Sequence, residues 1–322
     1  MPPSGEIMKV LVTDVMAEEA MEVLKKDWDV TFNEASAEEL PNIVQGYDAM
    51  MVRGRTKVIA DVIANATNMK VIARAGSGVD NIDIKAATEK GIKVVNSPGQ
   101  NSWSVAELAI GHMLSLSRFL PRANSSMKEG QWIKKKLKGQ ELAGKTLGIL
   151  GAGTIGTMIA EIAHKGFGMK VIYHNRHHNE SVESKANATY VPKEEVFSTA
   201  DYVSINMPLT DQTRGMVNSS LLSLMKPTAF LIDCGRGGIV DEGDLYSILK
   251  EGKIAGAAKD VFASEPPEGS SLLQLDNLYT TPHIGATTKE AQIRAGIVAA
   301  EQLTKVLKGQ APDHIVNPEV VS

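Results

Sequence analysis

The sequence predicts an α/β protein made of two parallel-sheet domains with a cleft between them. Three observations carry this expectation. Short β-branched runs alternate with stretches whose apolar residues recur at helical spacing. The alternation occurs twice, on either side of a polar, basic stretch at residues 128–138. A glycine-rich turn, Gly151-Ala152-Gly153-Thr154-Ile155-Gly156, opens the second series between a strand and a helix.

In the first series, residues 10–13, 30–32, 49–52, 71–73 and 94–95 read as buried parallel strands, and 17–26, 37–45, 57–66 and 84–90 as helices. In the second, the strands are 146–150, 170–174, 202–205, 229–234 and 256–260, with 278–281 as a sixth candidate. The helices between them are 155–165, 193–198, 219–224 and 242–250. A long apolar helix at 101–120 (Val105, Leu108, Ala109, Met113, Leu116) leads from one series to the other. A last helix at 290–308 is expected to return to the first, which makes that domain discontinuous: 1–100 with 291–322, around an intervening domain at 101–290. The active site is then expected in the cleft, where ligand sites are common.

The chain's 322 residues suffice for about two domains of ordinary size. With 43% hydrophobic and 22% charged residues, the composition is that of a soluble globular protein. A net charge of −4 offers no electrostatic case for nucleic acid or an anionic membrane as partner. No apolar run reaches the roughly 18 residues needed to span a bilayer. The N-terminus lacks the build of a signal peptide, and residues 1–6 read as a frayed tail. The single Cys234 excludes an internal disulfide and suits a reducing cytoplasm. No metal is expected: the nearest grouping, His174, His177 and His178, has neither cysteine nor ordered ligand spacing.

The glycine turn fits a dinucleotide fingerprint. Gly151 permits the tight turn, Gly153 lets the backbone approach a pyrophosphate, and Gly156 lets helix and strand pack closely. The following strand should end in an acid that bonds the adenosine ribose. It ends instead in Asn175-Arg176, nineteen residues after Gly156, and no carboxylate appears until Glu180. An acid would repel a 2′-phosphate; Asn175 does not, and Arg176 is placed to pair with one, with His177 and His178 as further donors. The expected cofactor is NADP(H) in preference to NAD(H).

Three later motifs each carry one chemical group: CGRGGIVDE (234–242) with Arg236, DVFASEP (260–266) with Glu265, and TPHIGATT (281–288) with His283. Reducing a 2-keto acid requires that the carboxylate be held, that hydride reach the carbonyl carbon and that the oxygen take a proton. Arg236 is the candidate for the first, since guanidinium binds carboxylate as a planar fork and also polarises a carbonyl. His283 is the candidate acid–base, because imidazole titrates near neutrality. Glu265 is the candidate partner that orients the ring and favours its protonated form. In the first domain, Arg74-Ala75-Gly76-Ser77-Gly78 follows a strand and is expected to expose N–H groups as an anion nest. Arg53 and Arg55 follow another strand, and Asn101 begins the crossing helix. So many arginines suggest a substrate more anionic than a single carboxylate.

These motifs, with RAGSGVDNID (74–83) and NSPGQNSWSVAEL (96–108), resemble the D-isomer-specific 2-hydroxyacid dehydrogenases, most of all the D-3-phosphoglycerate dehydrogenase branch, from about residue 9 to about residue 308. The resemblance implies two Rossmann-like or flavodoxin-like domains, an NAD(P)-dependent enzyme and a homodimer, with the segment 119–144 and its Trp132 as a contact arm. It makes Arg236, Glu265 and His283 the catalytic trio. It places Asp260 at the nicotinamide carboxamide, and Ser77, Thr154, Ile155, Cys234, Gly235, His283 and Gly285 near the cofactor with the glycine turn, Asn175 and Arg176. It assigns Arg53, Arg74, Gly76, Ser77, Gly78 and Asn101 to the substrate, together with Arg236 and His283. Two features depart from the pattern: Asn175 stands where the ribose-binding acid is usual, and Lys259 where an apolar strand residue is expected. The chain is also expected to do without the C-terminal regulatory domain frequent in the phosphoglycerate branch. The alternatives are a glyoxylate/hydroxypyruvate reductase, a dinucleotide-sensing corepressor that binds partner proteins, and a formate or phosphite oxidiser on the same fold.

Overall fold

The structure is a computed structural model that describes residues 7–321; the tail expected at residues 1–6 lies outside them. The chain forms two compact units, one comprising the residues up to Asn101 with those from Ala286 onward, the other Ser102–Gly285.

The first unit is built on five strands, β1 (Lys9–Val12), β2 (Asp29–Phe32), β3 (Ala49–Val52), β4 (Val71–Arg74) and β5 (Lys93–Asn96). They pair in parallel in the order β2-β1-β3-β4-β5. A parallel sheet covered on both faces needs near-continuous apolar strands, and β3 (Ala49, Met50, Met51, Val52) is buried throughout. The chain departs in opposite directions on either side of β1 and β3. The loops after these strands, which begin at Thr13 and Arg53, therefore meet at a topological switch point, where open α/β sheets bind ligands. The helix Lys289–Leu307 packs Ala299, Ala300 and Leu303 against Val10, Met51, Val71 and Val95. Its Gly296 brings it so close to the helix Glu18–Lys25 that a methyl group there would stand 2.8 Å from the Ala20 Cβ. Beyond this helix, Ile315 bridges to Val95 and Asn317 bonds both Val94 N–H and the Ile92 carbonyl, which covers the β5 edge.

The second unit carries β6 (Thr146–Leu150), β7 (Lys170–His174), β8 (Thr189–Tyr190), β9 (Tyr202–Ile205), β10 (Phe230–Asp233), β11 (Gly256–Lys259) and β12 (Leu278–Thr280). All pair in parallel, in the order β12-β11-β10-β9-β6-β7-β8, with the switch point between β6 and β9. The helix Ser102–Arg118 buries Val105, Ala109, Met113 and Leu116 with Ile232 and Ala258 on one face. Val196, Phe197, Leu245 and Ile248 share a core with Val203 and Leu231 on the other. Each such fully buried side chain contributes about 1.5–3 kcal/mol of transfer free energy.

Several elements differ from the sequence-based expectation. The helix expected at 57–66 exists only over Ala60–Asn65, because Val58 pairs with Ile82 and its N–H goes to the Asn81 carbonyl. That expected at 37–45 shrinks to Leu40–Ile43 followed by a single 3-10 turn. The crossing helix stops at Arg118, where Phe119 turns left-handed at φ 54°; a second helix, Leu120–Lys128, then starts with Pro121 in its first turn. The helix Glu180–Ala186 and the strand β8 were not expected. They are short and polar, and so give no periodic signal.

Candidate active site

Gly151 follows β6 at the switch point of the larger sheet. Its φ is +94°, and a side chain there would run into Met207 and Asn206 after β9. A Cβ on Gly156 would lie 2.3 Å from the Gly151 carbonyl oxygen, so only glycine lets the helix Thr154–Phe167 begin against this turn. Gly153 differs from both, since a Cβ there meets nothing within 4 Å. It caps the helix without any side-chain bond to the first-turn N–H groups. Close packing on two sides and an open, amide-lined third side fit a dinucleotide pyrophosphate. Asn175 takes part, but from behind: its Oδ1 accepts from Ala152 N–H at 2.7 Å and its Nδ2 donates to the Ala152 carbonyl, as does Asn179 Nδ2. Arg176 beside it is exposed and donates to Gln212 Oε1 at 3.3 Å. His178 stacks on Tyr190 and bonds Glu183, and His174 bonds the Val191 carbonyl. No cluster of three or more metal-ligating side chains occurs among the described residues.

His283 and Glu265 lie together at the ends of neighbouring strands. Nδ1 of the imidazole is 2.7 Å from Oε2 of the carboxylate, and Oε1 accepts from Phe262 N–H at 3.0 Å. Both carboxylate oxygens are thus committed, Nδ1 is the donor nitrogen, and Nε2 is left for chemistry. The ring is 47% exposed. His283 has φ 52°, uncommon for a residue with a Cβ, and its N–H is held by the Asp260 and Thr281 carbonyls.

Asp260 braces this turn. Its Oδ1 accepts from Thr281 Oγ1 at 2.6 Å and from Ile284 N–H, and its Oδ2 accepts from Gly285 N–H, the last two each at 2.8 Å. A methyl group on Gly285 would sit 3.0 Å from Oδ2. Thr281 in turn faces the buried His112, whose pKa is pushed down by burial against the opposing charge of Asp260. Cys234 and its neighbour Gly235 follow β10. The Cys234 side chain lies in the core, where burial, with Asp260 and Asp233 adding to it, raises the thiol well above its ordinary range.

Arg236 is half-buried one turn after β10, with Nη1 donating to the Gly235 carbonyl at 2.9 Å. Its turn interlocks with the Glu265 loop: a Cβ on Gly237 would fall 1.7 Å from the Phe262 carbonyl oxygen. Beneath both lies Lys259, with no exposed surface and its ammonium 2.6 Å from Asp233 Oδ2. Burial pushes the Asp233 carboxyl up, and the Lys259 charge opposes this.

In the first unit, the candidate substrate residues cluster at the ends of β1, β3 and β4. Asp14, almost wholly buried, accepts from Arg53 N–H at 2.6 Å and from Arg55 Nε at 3.2 Å. Arg55 also meets the Thr13 carbonyl and Glu34, so its charge is largely answered within the unit. Arg53 Nη1 donates to the Val15 carbonyl. The expected anion nest is corrected in one respect: the Gly76 N–H goes to Ser97 Oγ at 2.7 Å. Gly76 instead makes room for a neighbour, since a Cβ there would stand 1.8 Å from an Arg74 Nη atom. Ser77 Oγ donates to Asn101 Oδ1 at 2.9 Å and accepts from Gly99 N–H. Reading the residues alone missed Asp14, Ser97, His112 and Thr281. Ser97 and Thr281 lie inside motifs read for other residues, Asp14 and His112 in none, and each is revealed only by the partner it meets.

Residues 110–285 match the family model described as D-isomer specific 2-hydroxyacid dehydrogenase, NAD binding domain. The chain is 45% identical over 313 residues to D-3-phosphoglycerate dehydrogenase of Methanocaldococcus jannaschii, covering 97% of this chain and 60% of that protein. It is 44% identical over 304 residues to hydroxypyruvate reductase of Thermotoga maritima, covering 93% and 98% respectively. The crystal structure of a protein from Thermus thermophilus superposes with a TM-score of 0.88 at 33% identity, over 96% of this chain and all of that one. The chain belongs to the D-isomer-specific 2-hydroxyacid dehydrogenase family, with a nicotinamide-cofactor-binding domain in its second unit. It spans 60% of the length of several D-3-phosphoglycerate dehydrogenases that it resembles. No helix among the described residues is long and apolar enough to cross a membrane.

Proposed function

We propose that the protein is a nicotinamide-dependent D-2-hydroxyacid dehydrogenase that interconverts a 2-keto acid and its D-2-hydroxy acid, with 3-phosphoglycerate or a similarly anionic hydroxy acid as substrate. The observation that carries this reading is the 2.7 Å contact between His283 and Glu265, in the unit that holds the glycine turn. A bound nicotinamide supplies the hydride. Arg236 holds the substrate carboxylate and polarises the adjoining carbonyl. His283 gives a proton from Nε2 to the carbonyl oxygen, while Glu265 keeps Nδ1–H in place; in the reverse direction His283 takes that proton back. The backbone at Gly153, Thr154 and Ile155 would hold the pyrophosphate, with Gly151 and Gly156 shaping the turn, and Asp260 would offer the remaining lone pair of Oδ2 to the nicotinamide carboxamide. We assign Arg53, Arg74, Ser77, Gly78 and Asn101 to the remaining negative charge of the substrate.

We read NADP(H) as favoured over NAD(H). No acid ends β7, the Asn175 amide is turned to the glycine loop, and the exposed Arg176 is the cation next to it. A homodimer is supported by the exposed apolar side chains of Leu120, Met127 and Trp132, and a cytoplasmic location by the single, buried cysteine. A second reading, glyoxylate/hydroxypyruvate reductase, is favoured by the similarity to the Thermotoga maritima hydroxypyruvate reductase.

The test is steady-state turnover with NADPH and NADH on phosphohydroxypyruvate, hydroxypyruvate, glyoxylate and pyruvate, and on D-3-phosphoglycerate in reverse. The highest kcat/KM on the phosphorylated pair is expected. Preference for glyoxylate or hydroxypyruvate selects the second reading. No turnover on any of them refutes the dehydrogenase and leaves a dinucleotide-sensing corepressor or a formate or phosphite oxidiser. A strong NADH preference refutes the cofactor reading.

A further inference from the structure

A lysine with no exposed surface has lost all of its hydration, so its ammonium has to be answered inside the protein. Lys259 is answered twice: Asp233 Oδ2 stands at 2.6 Å and Glu242 Oε1 at 3.8 Å, and the ammonium lies 5.7 Å from the centre of the Phe262 ring. Stability alone does not account for this arrangement, because an apolar residue of similar volume in such a strand is often neutral or better once its partner is also replaced.

What the ammonium adds is a link between two loops. On one side, Asp233 ends β10 and its Oδ1 lies 3.4 Å from Gly235 N, next to Arg236. On the other, Glu242 opens the helix Glu242–Lys250 and its Oε1 also accepts from Ala263 N–H at 2.9 Å. Phe262, beside Ala263, donates its N–H to Glu265, which holds His283. The chain of contacts therefore runs from Arg236 through Asp233, Lys259, Glu242 and the 262–263 backbone to the Glu265–His283 pair. The motifs of Arg236 and Glu265 already touch at Gly237, where no side chain fits, so a small slip of either loop is transmitted to the other.

We propose that Lys259 is a positioning residue whose ammonium, clamped between Asp233 and Glu242, sets the Glu265 loop against the Arg236 turn. Its kinetic consequence rests on the dehydrogenase reading above; its structural consequence does not. A displacement of an ångström in such groups costs up to about a hundredfold in rate, so a loss of tenfold or more is the scale to look for.

The experiment uses the full chain and the double variant Asp233→Asn/Lys259→Leu, which removes the two fully buried charges and leaves the partly exposed Glu242 with the Ala263 N–H as its donor. Three quantities are read: kcat for keto-acid reduction, the dissociation constant of NADPH from its fluorescence, and amide hydrogen exchange in peptides covering 260–266 and 146–150. The expectation is a kcat lower by about tenfold or more, cofactor affinity within about twofold, and faster exchange at 260–266 alone. Wild-type kcat and exchange in the double variant overturn the proposal. So does a kcat loss that travels with weakened cofactor binding and faster exchange at 146–150, the mark of general loosening. If the double variant does not fold, Glu242→Gln decides: it keeps an acceptor for Ala263 but loses the charge. A roughly threefold lower kcat with faster exchange at 260–266 is then expected, and no change in either overturns the proposal. A wild type that turns over no keto acid refutes the dehydrogenase reading alone, because exchange in the variants still reports on the clamp.

Discussion

At the ends of β1 and β3 the first unit gathers Arg53 and Arg55 at one buried carboxylate, Asp14, with Arg74 ending the neighbouring β4. At the ends of β10, β11 and β12 the second unit does the opposite. It gathers Asp233, Asp260 and Glu265 around main-chain N–H groups, one ammonium and one imidazole. Both are the same end of a parallel sheet, but the charges are used differently. In the second unit the acids are consumed in holding loops still, which suits groups that must meet reacting atoms within a fraction of an ångström. In the first, Asp14 holds Arg53 by its main-chain N–H and not by its guanidinium, an arrangement that suits recognition of charge more than exact geometry. The difference teaches that a carboxylate near an active site is first to be asked which N–H groups it holds, before it is given a chemical role. Asp260, with three donors, shows this most plainly.

Substitutions in the two units should therefore fail in different ways. The largest effect is expected for His283→Ala, which should slow keto-acid reduction by about 10²–10⁴-fold while cofactor affinity holds; rapid-mixing turnover checks it, and unimpaired reduction removes His283 from the chemistry. Arg236→Lys comes next, at about 10²–10³-fold in kcat/KM, because an ammonium cannot reproduce the planar fork. Full activity with lysine there would show that the carboxylate is held elsewhere. Arg53→Ala in the first unit should act on KM more than kcat. A rise of about 10–100-fold is expected for a phosphorylated substrate, with little change for glyoxylate. Equal loss on both substrates would abolish the contrast between a recognising unit and a reacting one. The smallest effect is expected for Arg176→Ala, an exposed side chain: about fivefold or less in the NADPH/NADH ratio of kcat/KM. An unchanged ratio would remove Arg176 from cofactor choice.

Legibility in the sequence followed the range of the interactions. β3, β6 and β9 lie where near-continuous apolar runs predicted them, because a strand buried on both faces announces itself in nearly every residue. β8 and the helix Glu180–Ala186 were invisible, being too short and polar for any period to form. The expected helix over 57–66 was shortened by the pairing of Val58 with Ile82, a contact local propensity does not contain.

The same holds for the site. Glycine at 151 and 156 is a demand of the tight turn, and so is readable in one dimension; likewise Arg236, Glu265 and His283 announced themselves as chemical types in short motifs. Lys259 did the reverse. As one residue it broke the pattern of its strand, and only the folded chain supplied Asp233, 26 positions away, and Glu242 to explain it. Periodicity and turn chemistry act between residues a few positions apart and are written along the chain. The pairing of a buried charge depends on which distant segments the sheet order brings side by side, and that is decided only when the strands have packed.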